Sequence, residues 1–156
     1  MKRRSFLKSF AAIPAVAAMG TLGTTQLLAK ENKKPKGKNA ISYKKALEVV
    51  TGGKGAKDSE KVNLTVPEIA ENGAVVPVKI NVDFPIEEVK SLHILTTKNS
   101  NARCADIFLT PKNGKAYFAT RIKLGGTQEV VAVAALKNGT FIKAHKKVKV
   151  TIGGCG

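Results

Sequence analysis

Ala74-Val75-Val76-Pro77-Val78-Lys79-Ile80-Asn81-Val82-Asp83-Phe84 sets the architecture of the chain. Apolar side chains fall on Ala74, Val76, Val78, Ile80, Val82 and Phe84, and this period of two marks a strand with one buried face. Val62, Leu64 and Val66 repeat the pattern upstream. Pro77 within the longer run predicts an edge position, because proline has no N–H to give to a second neighbour. Downstream, short strands are expected around Leu92 to Leu95 and Ala105 to Leu109. Asn113-Gly114 stands before the alternating Ala116, Phe118, Thr120, Ile122 and Leu124. Asn138-Gly139 separates Val130 to Leu136 from Thr140 to Ala144, and each Asn-Gly pair predicts a tight hairpin reversal. The last strand places Val148, Val150 and Ile152 on one face and Lys147, Lys149 and Thr151 on the other, then stops at Gly153-Gly154. About seven or eight short strands with frequent turn signals predict an all-β, immunoglobulin-like sandwich.

Before the strands the period is helical. Ser42 is a candidate N-cap, Tyr43, Ala46, Leu47 and Val50 follow at i, i+3, i+4 and i+7, and Gly52-Gly53 offers a stop. Gly52-Gly53-Lys54-Gly55 lacks both the preceding strand and the Gly-Lys-Ser/Thr ending of a phosphate loop, so it reads as a helix cap and linker. Residues 30–38 are lysine-rich, carry Pro35 and Gly37, and read as a flexible basic leader too polar to pack.

The first residues carry a targeting signal. Arg3 and Arg4, followed by Ser5-Phe6-Leu7-Lys8, resemble a twin-arginine export motif, with Lys2 where Ser or Thr is usual. An Ala-rich, weakly apolar stretch runs from Phe10 to Leu28. Pro14, Gly20 and Gly23 interrupt it, which makes it a poor membrane span and a good cleavable signal, with cleavage expected after Ala29. The expected organisation is a signal peptide over 1–29, a leader over 30–38, a helix plus β-sandwich over 39–152 and a C-terminal arm over 153–156. The expected home is the periplasm, with no membrane span in the mature protein. The twin-arginine route carries folded proteins, which suits a chain that travels with a partner lacking its own signal.

The 156 residues hold 27 Lys+Arg against 11 Asp+Glu, and removal of the signal leaves about +12. That charge favours anionic partners without choosing among them. Trp is absent, aromatics are few and lysine is spread along the whole chain, which argues against nucleic acid. Two isolated histidines, His93 and His145, and two cysteines give no metal-ligand spacing, so no metal is expected. No cofactor-binding motif is present.

The remaining chemistry is at the end of the chain. Cys155 is bracketed by Gly153, Gly154 and Gly156, residues without side-chain bulk. Extended, this arm reaches roughly 13 Å from the last strand, enough to enter a narrow channel in another protein. A thiolate is a strong nucleophile, and positive charge from Lys147 and Lys149 would favour its ionised form. An export compartment also favours disulfides, so a Cys104–Cys155 bridge is open, although a staple on a Gly-Gly arm would constrain little. A tail cysteine joining two chains is open as well. Cys104, at the start of a strand, reads as a small buried thiol. A mobile terminus cannot preorganise a hydrolase nucleophile, so the chain is not expected to be an enzyme.

The end of the chain, Lys147-Val148-Lys149-Val150-Thr151-Ile152-Gly153-Gly154-Cys155-Gly156, resembles the C-terminal signature of the SoxY family, sulfur carriers of bacterial thiosulfate oxidation. Pro67-Glu68-Ile69-Ala70-Glu71-Asn72-Gly73, Thr120-Arg121-Ile122-Lys123-Leu124 and Val130-Val131-Ala132-Val133-Ala134 are similar to further segments of the family, in order. The resemblance covers roughly Asn39 to the end, and the leader suits the family's export. It implies an immunoglobulin-like fold, a periplasmic heterodimer with a SoxZ-like subunit, and transient docking to SoxAX, SoxB and sulfur dehydrogenase-like enzymes. It further implies that Cys155 holds thiosulfate-derived sulfur covalently while Gly153 and Gly154 supply slim reach. The sequence does not identify the face that would bind a SoxZ-like partner; the helix from Tyr43 to Val50 and the edge strand containing Pro77 are candidates. This chain stops one glycine short of the family's Gly-Gly-Cys-Gly-Gly ending, and Cys104 is outside the family pattern. The alternative is a non-enzymatic periplasmic immunoglobulin-like binding module with a structural or chain-linking disulfide.

Overall fold

The computed structural model describes residues 37–153. The signal segment with Arg3 and Arg4, most of the leader, and Gly154, Cys155 and Gly156 lie outside the described residues. Among the described residues one α-helix, α1 (Tyr43–Thr51), precedes nine strands: β1 (Lys57–Asp58), β2 (Val62–Thr65), β3 (Ile69–Asn72), β4 (Val76–Val82), β5 (Val89–Thr96), β6 (Arg103–Phe108), β7 (Tyr117–Ile122), β8 (Gln128–Leu136) and β9 (Phe141–Ile152). The helix begins and ends where its sequence predicts. The Ser42 hydroxyl accepts from the Lys45 N–H, and the Gly52 N–H turns back to the Glu48 and Val49 carbonyls.

The strands form the expected immunoglobulin-like sandwich. A large sheet runs β1-β9-β8-β5-β6, with β3 also pairing to β9, and a smaller sheet runs β2-β4-β7. The alternation in β4 is real: Val76, Val78, Ile80 and Val82 are buried and the residues between them are exposed. They close the core against Leu92 and Ile94 of β5, Val130, Ala132 and Ala134 of β8, and Ile142 and Val148 of β9. The central strands β5 and β8 are buried on both faces, because α1 lies over the outer side of the large sheet. There Ala46 packs with Leu95, Ala102, Val131 and Val133 in a second, smaller cluster. Among the described residues no helix is long and apolar enough to cross a membrane.

Two local expectations are corrected. The strand holding Pro77 is the centre of the small sheet, not its edge, which removes it as an edge for a partner. Val82 donates to Ala116 on the β7 side and Asp83 to Lys61 on the β2 side, so alternation turns the Pro77 nitrogen toward β2. The β2 pairing has already ended there, at Thr65 opposite Lys79. Proline is tolerated at an overhang, where the missing N–H has no neighbour to serve. Asn113-Gly114 does form a turn, but no hairpin: β6 pairs with β5 and β7 with β4. The segment is a 3₁₀ turn over Pro111–Asn113 closed by a Thr110/Asn113 capping box, and it carries the chain from one sheet to the other. Asn138-Gly139 behaves as predicted. Gly139 sits at φ 83°, a left-handed conformation that glycine adopts without strain, and β8 and β9 pair antiparallel on either side.

Candidate functional site at the end of β9

β9 is the longest strand, and its last turn of ladder is built differently from the rest. Pairing with β8 stops at Gln128 opposite Val148. Beyond it, β3 runs parallel to β9 with Ile69 opposite Lys149 and Asn72 opposite Ile152. On the other flank the Thr127 hydroxyl replaces a strand, accepting from the Val150 N–H at 3.0 Å and donating to the Val150 carbonyl at 3.4 Å. The Gly73 N–H donates to the Ile152 carbonyl at 2.8 Å, and the Thr151 hydroxyl donates to the Glu71 carbonyl at 3.0 Å. The register of the strand is therefore fixed to Ile152, three residues before Cys155.

Gly153 follows, against the loop between β7 and β8. A Cβ there would stand 2.7 Å from the Gly125 carbonyl oxygen and 3.4 Å from its carbon. The contact is backbone to backbone, so only glycine fits without displacement. The Gly125 loop is in turn held by two amides. The Asn99 side chain donates to the Lys123 carbonyl (2.7 Å) and accepts from the Gly125 N–H (3.0 Å). Gln128 is 2% exposed. Its Nε2 donates to Asn99 Oδ1 (2.7 Å) and to the Gly126 carbonyl (3.2 Å), and its Oε1 accepts from the Lys98 and Asn99 N–H groups. Every side-chain polar group of Gln128 thus ties the loop after β5 to the loop before β8. Asn99, Gly125, Thr127 and Gln128 form a collar around the point where the arm leaves the sandwich.

The sequence assigned Gly153 a role in reach and missed the collar. A signal was present in Gly125-Gly126 and in a Gln opening an apolar strand, but their pairing with residue 99 is a long-range contact. Lys147 is the cross-strand neighbour of Glu129, and the Cys155 thiol that it and Lys149 were expected to influence lies outside the described residues. Lys98 and Lys123, whose backbones anchor Gln128 and Asn99, are exposed.

Cys104 stands on β6, half-buried, with its Sγ 3.6 Å from the Thr96 hydroxyl. It makes no disulfide with another described residue. Burial pushes its thiol pKa up, against smaller lowering by hydrogen bonds from Thr96 and Asn99, so the thiol is held protonated and unreactive. The Asn99 contact also puts Cys104 beside the collar. Among the described residues no group of three or more His, Cys, Asp or Glu side chains could hold a metal ion.

Comparison with known proteins identifies the family. The family model for "Sulfur oxidation protein SoxY" matches residues 47–155, a span that ends on Cys155. The solved structure of the sulfur carrier protein SoxY from Chlorobium limicola f thiosulfatophilum is similar at 30% identity. It has a TM-score of 0.60 and covers 69% of this chain and 94% of that one. A superoxide reductase (neelaredoxin) from Ignicoccus hospitalis shares the fold alone, at 13% identity and a TM-score of 0.52, over 58% of this chain and 80% of that one. No curated protein sequence matches the chain.

Proposed function

Given that the chain belongs to the SoxY family of sulfur oxidation proteins, we propose that it carries sulfur intermediates covalently on the Cys155 thiol and presents them to the enzymes of a Sox system. The observation that supports this most is the family match running through to Cys155 on a strand whose register is held to Ile152. One residue, Gly154, lies between Gly153 and Cys155, and the two Cα steps span about 7 Å when extended. The arm therefore starts from a defined point and ends in a nucleophile with no bulky side chain on either side.

The chemistry asks little of the carrier. The Cys155 thiolate and the sulfane sulfur of thiosulfate form a disulfide bond with loss of two electrons, which a cytochrome-containing SoxAX enzyme accepts. Water then attacks the terminal sulfonate on a SoxB enzyme, releasing sulfate and two protons and leaving a persulfide on Cys155. A sulfur dehydrogenase-like enzyme oxidises the remaining sulfur. A thiol is a fitting handle because sulfur–sulfur bonds form and exchange through the thiolate. The sandwich supplies docking surface, and a SoxZ-like subunit completes a periplasmic heterodimer exported through the Arg3-Arg4 signal.

Intact mass and C-terminal peptide mapping, under non-reducing conditions, test the reading on protein from cells grown with and without thiosulfate. A sulfur, sulfonate or thiosulfonate adduct on Cys155 that appears with thiosulfate is the expected result. A Cys104–Cys155 disulfide unchanged by thiosulfate overturns it.

A further inference from the structure

On the outer face of the large sheet, beside the end of α1, three side chains form a chain of hydrogen bonds remote from the collar in sequence. The Ser91 hydroxyl lies 2.9 Å from His93 Nε2, and His93 Nδ1 lies 2.5 Å from Asp106 Oδ1. The Arg103 guanidinium approaches the second Asp106 oxygen at 2.7 Å. Ser91 and His93 are 3% and 4% exposed, and the Phe108 ring stands edge-on to the imidazole. A carboxylate only accepts, so Nδ1 donates to Asp106.

This relay sits in the wall of a cleft of about 440 Å³. Lys54, Lys90, Arg103 and Lys137 line it, and no carboxylate does. The helix end nearby contributes little negative potential, because the Leu47, Glu48, Val49 and Thr51 carbonyls are all taken by the Thr51 hydroxyl and the Gly52, Gly53 and Lys54 N–H groups. With Arg103 balanced by Asp106, Lys54, Lys90 and Lys137 leave a net positive charge around a buried hydroxyl and imidazole. The Ser-His-Asp order invites comparison with an acyl-transfer relay. Ser91, however, occupies a ladder position paired on both sides, to Phe108 and Ala135, and not the exposed turn that presents such a nucleophile.

We propose that this cleft binds a small inorganic oxyanion of the sulfate or thiosulfate type, held by Lys54, Lys137 and Arg103 and by the Ser91 hydroxyl. The charged groups facing the site are Lys90 on β5, Asp106 and Arg103 on β6, Lys54 after α1 and Lys137 after β8. The site is independent of the Cys155 chemistry and stands or falls without it.

Calorimetric titration of the full chain with sodium sulfate and with sodium thiosulfate, at ionic strength matched with chloride, tests the site. Saturable 1:1 binding above that of chloride is expected. Lys54→Gln with Lys137→Gln should weaken binding about tenfold or more. Lys79→Gln with Arg121→Gln, the same charge change on the small sheet, should leave it unchanged. Ser91→Ala should weaken binding. Absence of saturation above chloride, or equal weakening by the two double variants, would overturn the site.

Discussion

The Gly125 carbonyl oxygen lies 2.7 Å from where a methyl group on residue 153 would stand. Gly153→Ala therefore cannot be accommodated in place, and the clash is relieved by moving the end of the chain. A chain terminus yields at little free energy. The loss in global stability is thus expected to stay below about 1 kcal/mol, while the direction in which the arm leaves the collar changes. Denaturant unfolding should be nearly unaltered, and thiosulfate-dependent loading of Cys155 should slow several-fold. Loading at the unaltered rate would show that reach alone matters.

Gln128 is the costly member of the collar. Gln128→Leu preserves the volume but strips the Lys98 and Asn99 N–H groups of their acceptor. Two part-buried donors left without their acceptor, and partly reached by water, cost about 1–2 kcal/mol. A urea midpoint that falls accordingly, with an unchanged slope, is the expected outcome. Amide exchange should quicken first in the loops at 97–99 and 123–127.

The period-two runs, the helix with its Ser42 cap and the Asn138-Gly139 reversal were legible because each depends on neighbours within one or two turns of chain. Pro77 and Asn113-Gly114 misled for the converse reason. Whether a strand is central, and whether a turn joins partners in one sheet, depends on pairings dozens of residues away. The glycine arm and Cys155 were read as chemistry from their residue types alone, and Gly154 to Gly156 lie outside the described residues. The collar was not, since Asn99, Gly125, Gln128 and Gly153 meet only after both sheets have formed. His93 read as an ordinary strand residue, and nothing local announces that Asp106 stands opposite it in the β5–β6 register.

The two cysteines should differ sharply as nucleophiles. Burial keeps the Cys104 thiol protonated, and thiolate is the reactive form. Iodoacetamide on the folded, reduced protein should label Cys155 well before Cys104, and labelling should equalise in denaturant. Cys104→Ala should retain the thiosulfate-dependent adduct, and Cys155→Ser should lose it. Equal labelling rates in the folded state would contradict the assignment.

Stability should also fall on the alkaline side for a nameable reason. The Cys104 thiol and the Tyr43 hydroxyl both have raised pKa values, each chiefly through burial. In Tyr43 the nearby charges of Glu129 and Asp58 add to it, and in Cys104 hydrogen bonds partly oppose it. Both groups are neutral when protonated, so the unfolded chain releases these protons at lower pH than the folded one. Their contribution is whole below the unfolded pKa and is lost as pH rises through the folded value. Urea midpoints measured upward from about pH 8, below the ordinary thiol value, should therefore decline. Cys104→Ala should remove the earlier part of the slope and Tyr43→Phe the later part, because a thiol ordinarily titrates before a phenol. If both variants kept the full alkaline slope, the loss would have to come from the lysines, whose discharge would act equally in all three proteins.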